Sequence, residues 1–247
     1  MKIIRKFNRF ELKYLLPLKL AEEFKQELKK YLLPDNRGQN GKYPISSLYY
    51  DAPDYRFYWE KIEGIKFRRK LRIRRYLEDK AFTGDSTVFL EIKQRVDRVT
   101  QKRRLPLKYQ EALDFCNHGL LPDCQQKDRV LLEEMESMLK LYNLKPSVIT
   151  TYDRQAFVGT DYDLGLRITF DTDICYKFHD LDLGKETLEG FMIPPTFTIM
   201  EVKTDERIPY WLSELLAAYN LRLIRVSKYC QGLEAASVLP KSIYHIS

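Results

Sequence analysis

The sequence predicts an α+β fold in which antiparallel strands carry helices on one side and enclose a charged surface, barrel-like, on the other. Three observations predict it. Several separate segments alternate apolar and charged residues with a period of two, and a strand sends such alternating side chains to opposite faces. Amphipathic helical segments lie between them, able to cover the apolar faces. The charged faces are dense in Lys and Arg with a few spaced Glu, unlike the mixed polar faces that strands turn to water. Turned inward around a curled sheet, they line a passage suited to a polyanion.

Taken in order, residues 5–16 read as a strand, with Arg5, Phe7, Arg9, Glu11 and Lys13 on one parity and Phe10, Leu12 and Tyr14 on the other. Pro17 suits a first helical turn. Leu20, Ala21, Phe24, Leu28, Tyr31 and Leu32 recur at helical spacing through residue 33. Residues 35–42, Asp-Asn-Arg-Gly-Gln-Asn-Gly-Lys, have the composition of a flexible loop. Strands are expected at 43–50, 65–76, 86–95 and 98–105, then helices at 108–117 and 128–142. Further strands follow at 147–158, 164–172 and 196–204, with irregular chain at 177–195. A helix from Pro209 and a last one over 228–237 complete a single domain spanning 1–247.

The clearest charged face is Lys66, Arg68, Lys70, Arg72 and Arg74 against Phe67, Leu71 and Ile73. Glu91, Lys93 and Arg95 oppose Val88, Leu90 and Ile92, and Arg167, Thr169 and Asp171 oppose Leu166, Ile168 and Phe170. Lys102 pairs with Arg104, Tyr152 with Arg154, and Glu201 with Lys203. Three Glu-x-Lys pairs, Glu11/Lys13, Glu91/Lys93 and Glu201/Lys203, each place a carboxylate beside an ammonium on one face of a different strand. A carboxylate can hold a divalent metal that bridges phosphate oxygens, while the ammonium meets the same phosphates. Phosphoryl transfer needs mostly this positioning and charge neutralisation.

Composition excludes other classes. With 44% hydrophobic and 31% charged residues the chain is globular, and its formal charge of +7 favours anionic partners. Four scattered Cys and three separate His form no zinc or disulfide pattern, so reduced thiols in a cytoplasmic protein are expected. No apolar run is long enough to cross a bilayer, and neither a phosphate loop, a dinucleotide fingerprint nor a nucleophile elbow is present. The aromatics fall mainly on the parity opposite the cations, so nucleic acid is not the expected partner.

The same residues resemble the polyphosphate polymerase (VTC) branch of the triphosphate tunnel metalloenzymes. The matching segments are Arg9-Phe-Glu11-Leu-Lys13-Tyr14, Ser47-Leu-Tyr-Tyr-Asp51, Lys70-Leu-Arg72-Ile-Arg74-Arg-Tyr76, Phe89-Leu-Glu91-Ile-Lys93, Lys102-Arg-Arg104, Tyr152-Asp-Arg154, Arg167-Ile-Thr169-Phe-Asp171, Glu201-Val-Lys203 and Ser227-Lys228-Tyr229. The resemblance implies an eight-stranded antiparallel β-barrel, open at its ends, with flanking helices. It implies that Lys13, Arg72, Arg74, Arg154, Lys228 and Glu201 carry the chemistry. Glu11, Lys70, Glu91, Lys93, Lys102, Arg104, Tyr152, Arg167, Lys203 and Ser227 would contact nucleotide or polymer. Glu201 would be the metal carboxylate, for Mn2+ or Mg2+, and the partners ATP and inorganic polyphosphate. Arg9 stands where sister cyclases and thiamine triphosphatases have a first Glu, which favours a polyanion over metal. A stand-alone soluble form of bacterial type is expected, without a sensor domain or membrane helices. A tunnel triphosphatase and a non-catalytic polyphosphate-binding module are the competing readings.

Overall fold

A computed structural model describes residues 10–77, 81–97, 99–185, 187–205 and 207–246. Its strands are β1 (Phe10–Pro17), β2 (Leu32–Pro34), β3 (Lys42–Asp51), β4 (Phe67–Tyr76), β5 (Thr87–Val96), β6 (Val99–Lys108), β7 (Lys145–Gly159), β8 (Arg167–Lys177), β9 (Gly190–Phe191) and β10 (Phe197–Thr204). The helices are α1 (Leu18–Leu28), α2 (Arg56–Ile62), α3 (Tyr109–His118), α4 (Gln126–Leu141), α5 (Tyr210–Ala218) and α6 (Lys228–Ala235). Eight strands run in the order β1-β10-β8-β7-β3-β4-β5-β6, all neighbours antiparallel; the short β2 and β9 pair with β7 and β8.

Period-two alternation decides which face is buried. On the convex side Leu48, Leu71, Ile73, Leu90 and Ile92 pack under α3 and α4, against Phe115, Leu132 and Met135. Leu16, Ile168, Phe170, Met200 and Val202 pack under α1 and α5, against Phe24, Leu28 and Leu212. These two apolar layers hold the wall rigid and leave the charged parity on the concave side.

Four expectations change. The sheet curls into a tunnel but is not laced shut: no ladder joins β1 to β6 among the described residues, and the gap is bridged by Lys93 donating to Glu11 at 2.8 Å. The lumen is also not lined by strands alone. Helix α6 packs on the concave side, where Tyr229, Cys230 and Leu233 meet Tyr49 and Val148. A Cβ on Gly232 would lie 3.1 Å from Val148 Cγ2, so the helix is seated closely. The first helix stops at Leu28, because Leu32–Pro34 are drawn into pairing with Val158 and its neighbours. Residues 35–42 are pinned: Asp35 N donates to Ala156 O and Ala156 N to Gly41 O, each at 2.9 Å. Helix α2 was not read from the sequence. It is anchored by buried Asp51, whose carboxylate accepts from Ala52 N at 2.7 Å, Phe57 N at 2.9 Å and Tyr58 N at 3.2 Å.

Candidate anion-binding tunnel

Each antiparallel ladder places lumen residues of adjacent strands side by side, so Lys13 faces Glu201, Glu201 faces Thr169, and Asp171 faces Arg154. The first cluster centres on Glu201. Its Oε1 lies 3.0 Å from Lys13 Nζ and 3.1 Å from Lys228 Nζ. Its Oε2 lies 2.5 Å from Lys203 Nζ and 3.5 Å from Arg154 Nη2. Fully buried Asp171 accepts from Arg154 Nε and Nη2, both at 2.7 Å, and sits 2.5 Å from Lys228 Nζ. Lys13 also reaches Glu11 at 3.1 Å, which carries the network across the gap to Lys93.

The second cluster centres on Glu91, which is fully buried. Arg72 donates to it through Nε at 2.8 Å and Nη2 at 2.6 Å, and Lys102 Nζ lies 3.0 Å away. Arg72 Nη1 donates to the Tyr49 hydroxyl at 2.9 Å. Arg74 donates to Ser47 and to the Tyr152 hydroxyl, both at 3.1 Å. Where α6 begins, Lys70 donates to Ser227 Oγ at 2.7 Å. That hydroxyl also caps α6 by accepting from Cys230 N. Towards the other end Arg167 donates to the Tyr43 hydroxyl at 2.7 Å and pairs with Asp35 at 2.5 Å. Arg104 stacks on Phe89, its Cζ 4.5 Å from the ring centre.

Interleaving decides the electrostatics. Burial alone would raise the Glu201 carboxyl, but Lys13, Lys203, Lys228 and Arg154 hold it well below the usual carboxylate range. Glu11, Glu91 and Asp171 are held down in the same way. Burial opposes the charge on Lys13 and Lys228, yet Glu201 with Glu11 or Asp171 raises both. Lys70, by contrast, is pushed down by burial and by Lys93 and Lys13, and Lys203 is pushed down to about 8 by burial, with Arg154 adding to it. Burial would raise the Tyr49 phenol, but Arg72, Arg74 and Lys70 bring it down to about 8. The few spaced carboxylates thus pin a core of the cations, and the remainder carry the unmet demand for an anion.

Among the described residues no three His, Cys, Asp or Glu side chains gather as a metal cage. Hard divalent ions in phosphate sites, however, take one or two carboxylates and complete their shell with substrate oxygens and water. Glu201 fits that share. Opposite it, the buried Thr169 Oγ1 has no hydrogen-bond partner, an oxygen left over beside the carboxylate.

The profile of the VTC domain family matches residues 8–237. The chain belongs to the VTC domain family. It is 27% identical to the vacuolar transporter chaperone complex subunit 4 of Trypanosoma cruzi over 88% of this chain and 31% of that protein. The corresponding subunit of Trypanosoma brucei brucei is 28% identical over 77% of this chain and 28% of its own length. The VTC domain here thus spans about a third of these relatives. A crystal structure of a Bacillus halodurans protein, provisionally named an adenylate cyclase, superposes with a TM-score of 0.50 at 13% identity, covering 89% of this chain and 95% of that one. That likeness concerns the fold alone.

The concave wall brings together Lys13, Lys70, Arg72, Arg74, Lys93, Lys102, Arg154, Arg167 and Lys203 with Glu11, Glu91 and Glu201. Ser227 and Lys228 reach the same space from α6. Arg9 lies outside the described residues. Asp171, Tyr49, Tyr43 and Ser47 belong to the same network but were not singled out as site residues. Asp171 was legible as a charged residue in phase with Arg167. Two further lumen tyrosines depart from the expectation that aromatics fall mainly with the core: Tyr43 and Tyr49, like the expected Tyr152, share the cations' parity, and their hydroxyls meet arginines.

Proposed function

We propose that this VTC domain is a polyphosphate polymerase, using Mg2+ or Mn2+ and acting in the cytoplasm, that moves the γ-phosphoryl group of ATP to the end of a polyphosphate chain. The observation that carries this reading is the enclosed lumen in which cations from β1, β4, β5, β6, β7, β8, β10 and α6 face one another with only a few carboxylates between them. In the transfer, the bond between the γ-phosphorus and the β,γ-bridging oxygen breaks and ADP leaves with that oxygen. A terminal oxygen of the acceptor chain forms the new bond to phosphorus.

A divalent ion on Glu201 would neutralise charge on the reacting phosphates. The rest falls to the chain's own residues. Arg72, Arg74, Lys93 and Lys102 on one wall, and Lys13, Arg154, Lys203 and Lys228 on the other, would hold donor and acceptor in line while offsetting their mutual repulsion. Their positions are fixed beforehand by Glu11, Glu91, Asp171, Glu201 and Tyr152, so little reorganisation is left for the reaction itself.

Incubation with ATP and Mn2+ tests the proposal, with long-chain polyphosphate and ADP as the expected products. Orthophosphate without polymer would replace it with a tunnel triphosphatase. Tight polyphosphate binding with ATP left intact would make the domain a binding module.

A further inference from the structure

Resting on the nucleotide-dependent reading above, we propose that the end of the tunnel away from α6 holds a stacking site for the nucleobase, built from Tyr76, Phe89, Arg37 and Arg104. A chain of phosphates has no use for flat apolar faces, yet two arginine–ring pairs stand here together. The Arg37 guanidinium lies 3.9 Å from the centre of the Tyr76 ring, and that of Arg104 lies 4.5 Å from the centre of Phe89. The two rings meet edge to face with centroids 5.7 Å apart. All four side chains are at least partly exposed.

The loop that presents Arg37 is built for its place. Gly38 and Gly41 adopt φ of 65° and 71°, and a Cβ would fall 2.0 Å from Lys42 O at the first and 2.4 Å from Ala156 O at the second. Only glycine fits either position. Both ends of the loop are tied to Ala156 by backbone hydrogen bonds. Arg37 N also donates to Asp35 Oδ1 at 3.3 Å, and Asp35 is itself held by Arg167.

Position relative to the phosphate residues completes the argument. Tyr76 follows Arg74 by two residues, and Phe89 precedes Glu91 by two, a step of about 7 Å along a strand. Phosphates gripped by Arg72 and Arg74 would therefore leave the attached nucleoside beside these rings. Aromatic and guanidinium planes stack on any base and read no hydrogen-bonding edge. The site accordingly takes nucleoside triphosphates as a class, and Arg104 serves the base more than the phosphates.

Calorimetric titration of the parent, Phe89→Leu and Tyr76→Leu with ATP, GTP and tripolyphosphate tests this. Leucine keeps apolar volume and removes the ring face. ATP and GTP should each weaken roughly tenfold in the variants, the scale of one lost base stack, with tripolyphosphate unchanged. Equal losses for all three ligands, or no loss for ATP, would overturn the base site while leaving the phosphate tunnel standing. A parent that binds neither ATP nor tripolyphosphate would remove both readings. On the unaltered protein, the fluorescence of 1,N6-ethenoadenosine triphosphate should be quenched by stacking on binding, and bound probe with the emission of free probe would overturn the site without any variant.

Discussion

Replacing Glu201 with Gln keeps the shape of the side chain and removes the charge around which Lys13, Lys203, Lys228 and Arg154 gather. The carboxylate is 5% exposed, so water compensates little for its loss. Taking one partner from a buried ionic network costs about 3–5 kcal/mol, and the lower figure suits a site whose Lys13 and Lys203 still reach solvent. For a chain of this size each kcal/mol moves the melting temperature by about 2–4 °C. Glu201→Gln should therefore melt about 6–12 °C below the parent in ligand-free, metal-free buffer. The same uncompensated cations should grip an anion harder. Without divalent metal, tripolyphosphate should bind the variant more tightly than the parent and restore much of the lost melting temperature. Turnover of ATP should nevertheless be lost. Differential scanning fluorimetry and calorimetric titration read these effects separately. A variant with parental melting temperature and parental tripolyphosphate affinity would refute the assignment of Glu201 as the counter-charge of the lumen.

Other perturbations probe separate parts of the wall. Arg72→Ala takes the bidentate partner from the buried Glu91 carboxylate, leaving it Lys102, and removes one guanidinium from the lumen; tripolyphosphate affinity should fall roughly tenfold or more, the scale of a charged hydrogen bond, and calorimetry matching the parent would take Arg72 out of the site. Ultraviolet absorbance should show one phenol ionising near pH 8, where Tyr49 is brought down to about 8 from an ordinary 10.0. Tyr49→Phe should abolish that step, and tripolyphosphate should move it upward by offsetting Arg72 and Lys70. Because the folded-state value is depressed, Tyr49 adds stability that is complete above pH 10 and is lost as pH falls through 8; denaturation of parent and Tyr49→Phe across that range should show it. Asp51→Ala removes the acceptor shared by the start of α2 and the Tyr229 hydroxyl of α6. It should cost about 3 kcal/mol in urea unfolding, and unchanged stability would make Asp51 dispensable to α6.

Strand alternation carried most of the fold, because the apolar parity is continuous wherever α3, α4, α1 or α5 covers the sheet. The Glu-x-Lys pairs were legible for the same reason, although only Glu11/Lys13 and Glu201/Lys203 join directly; Glu91 is taken by Arg72 and Lys102 instead. Period alone gives no rank among opposing cations on the two neighbouring strands. Helix α2 is hard to read because it has only seven residues and is entered through Tyr55 in the left-handed region with φ of 56°, a residue type that offers no side-chain cap. The side on which α6 packs was equally hidden. An apolar stripe tells that a helix is covered, whereas Gly232 against Val148 and Lys228 against Glu201 decide that it lies within the curve of the sheet. The aromatic content of the lumen was missed because Tyr43 and Tyr49 look like core residues until their hydroxyls are traced to arginines.

Among the described residues the margin between β1 and β6 is spanned by side chains and not by a backbone ladder, which changes how a long polymer meets this protein. A sealed pipe admits a strand only by its tip and must be threaded; a trough with one slack margin lets a strand be laid in or lifted out broadside. With α6 seated inside the curve of the sheet and filling part of the lumen, broadside release offers a way out for a product longer than the cavity. Polyphosphate carrying bulky caps on both tips should consequently bind as well as uncapped polymer of equal length, a comparison that competition against tripolyphosphate would resolve.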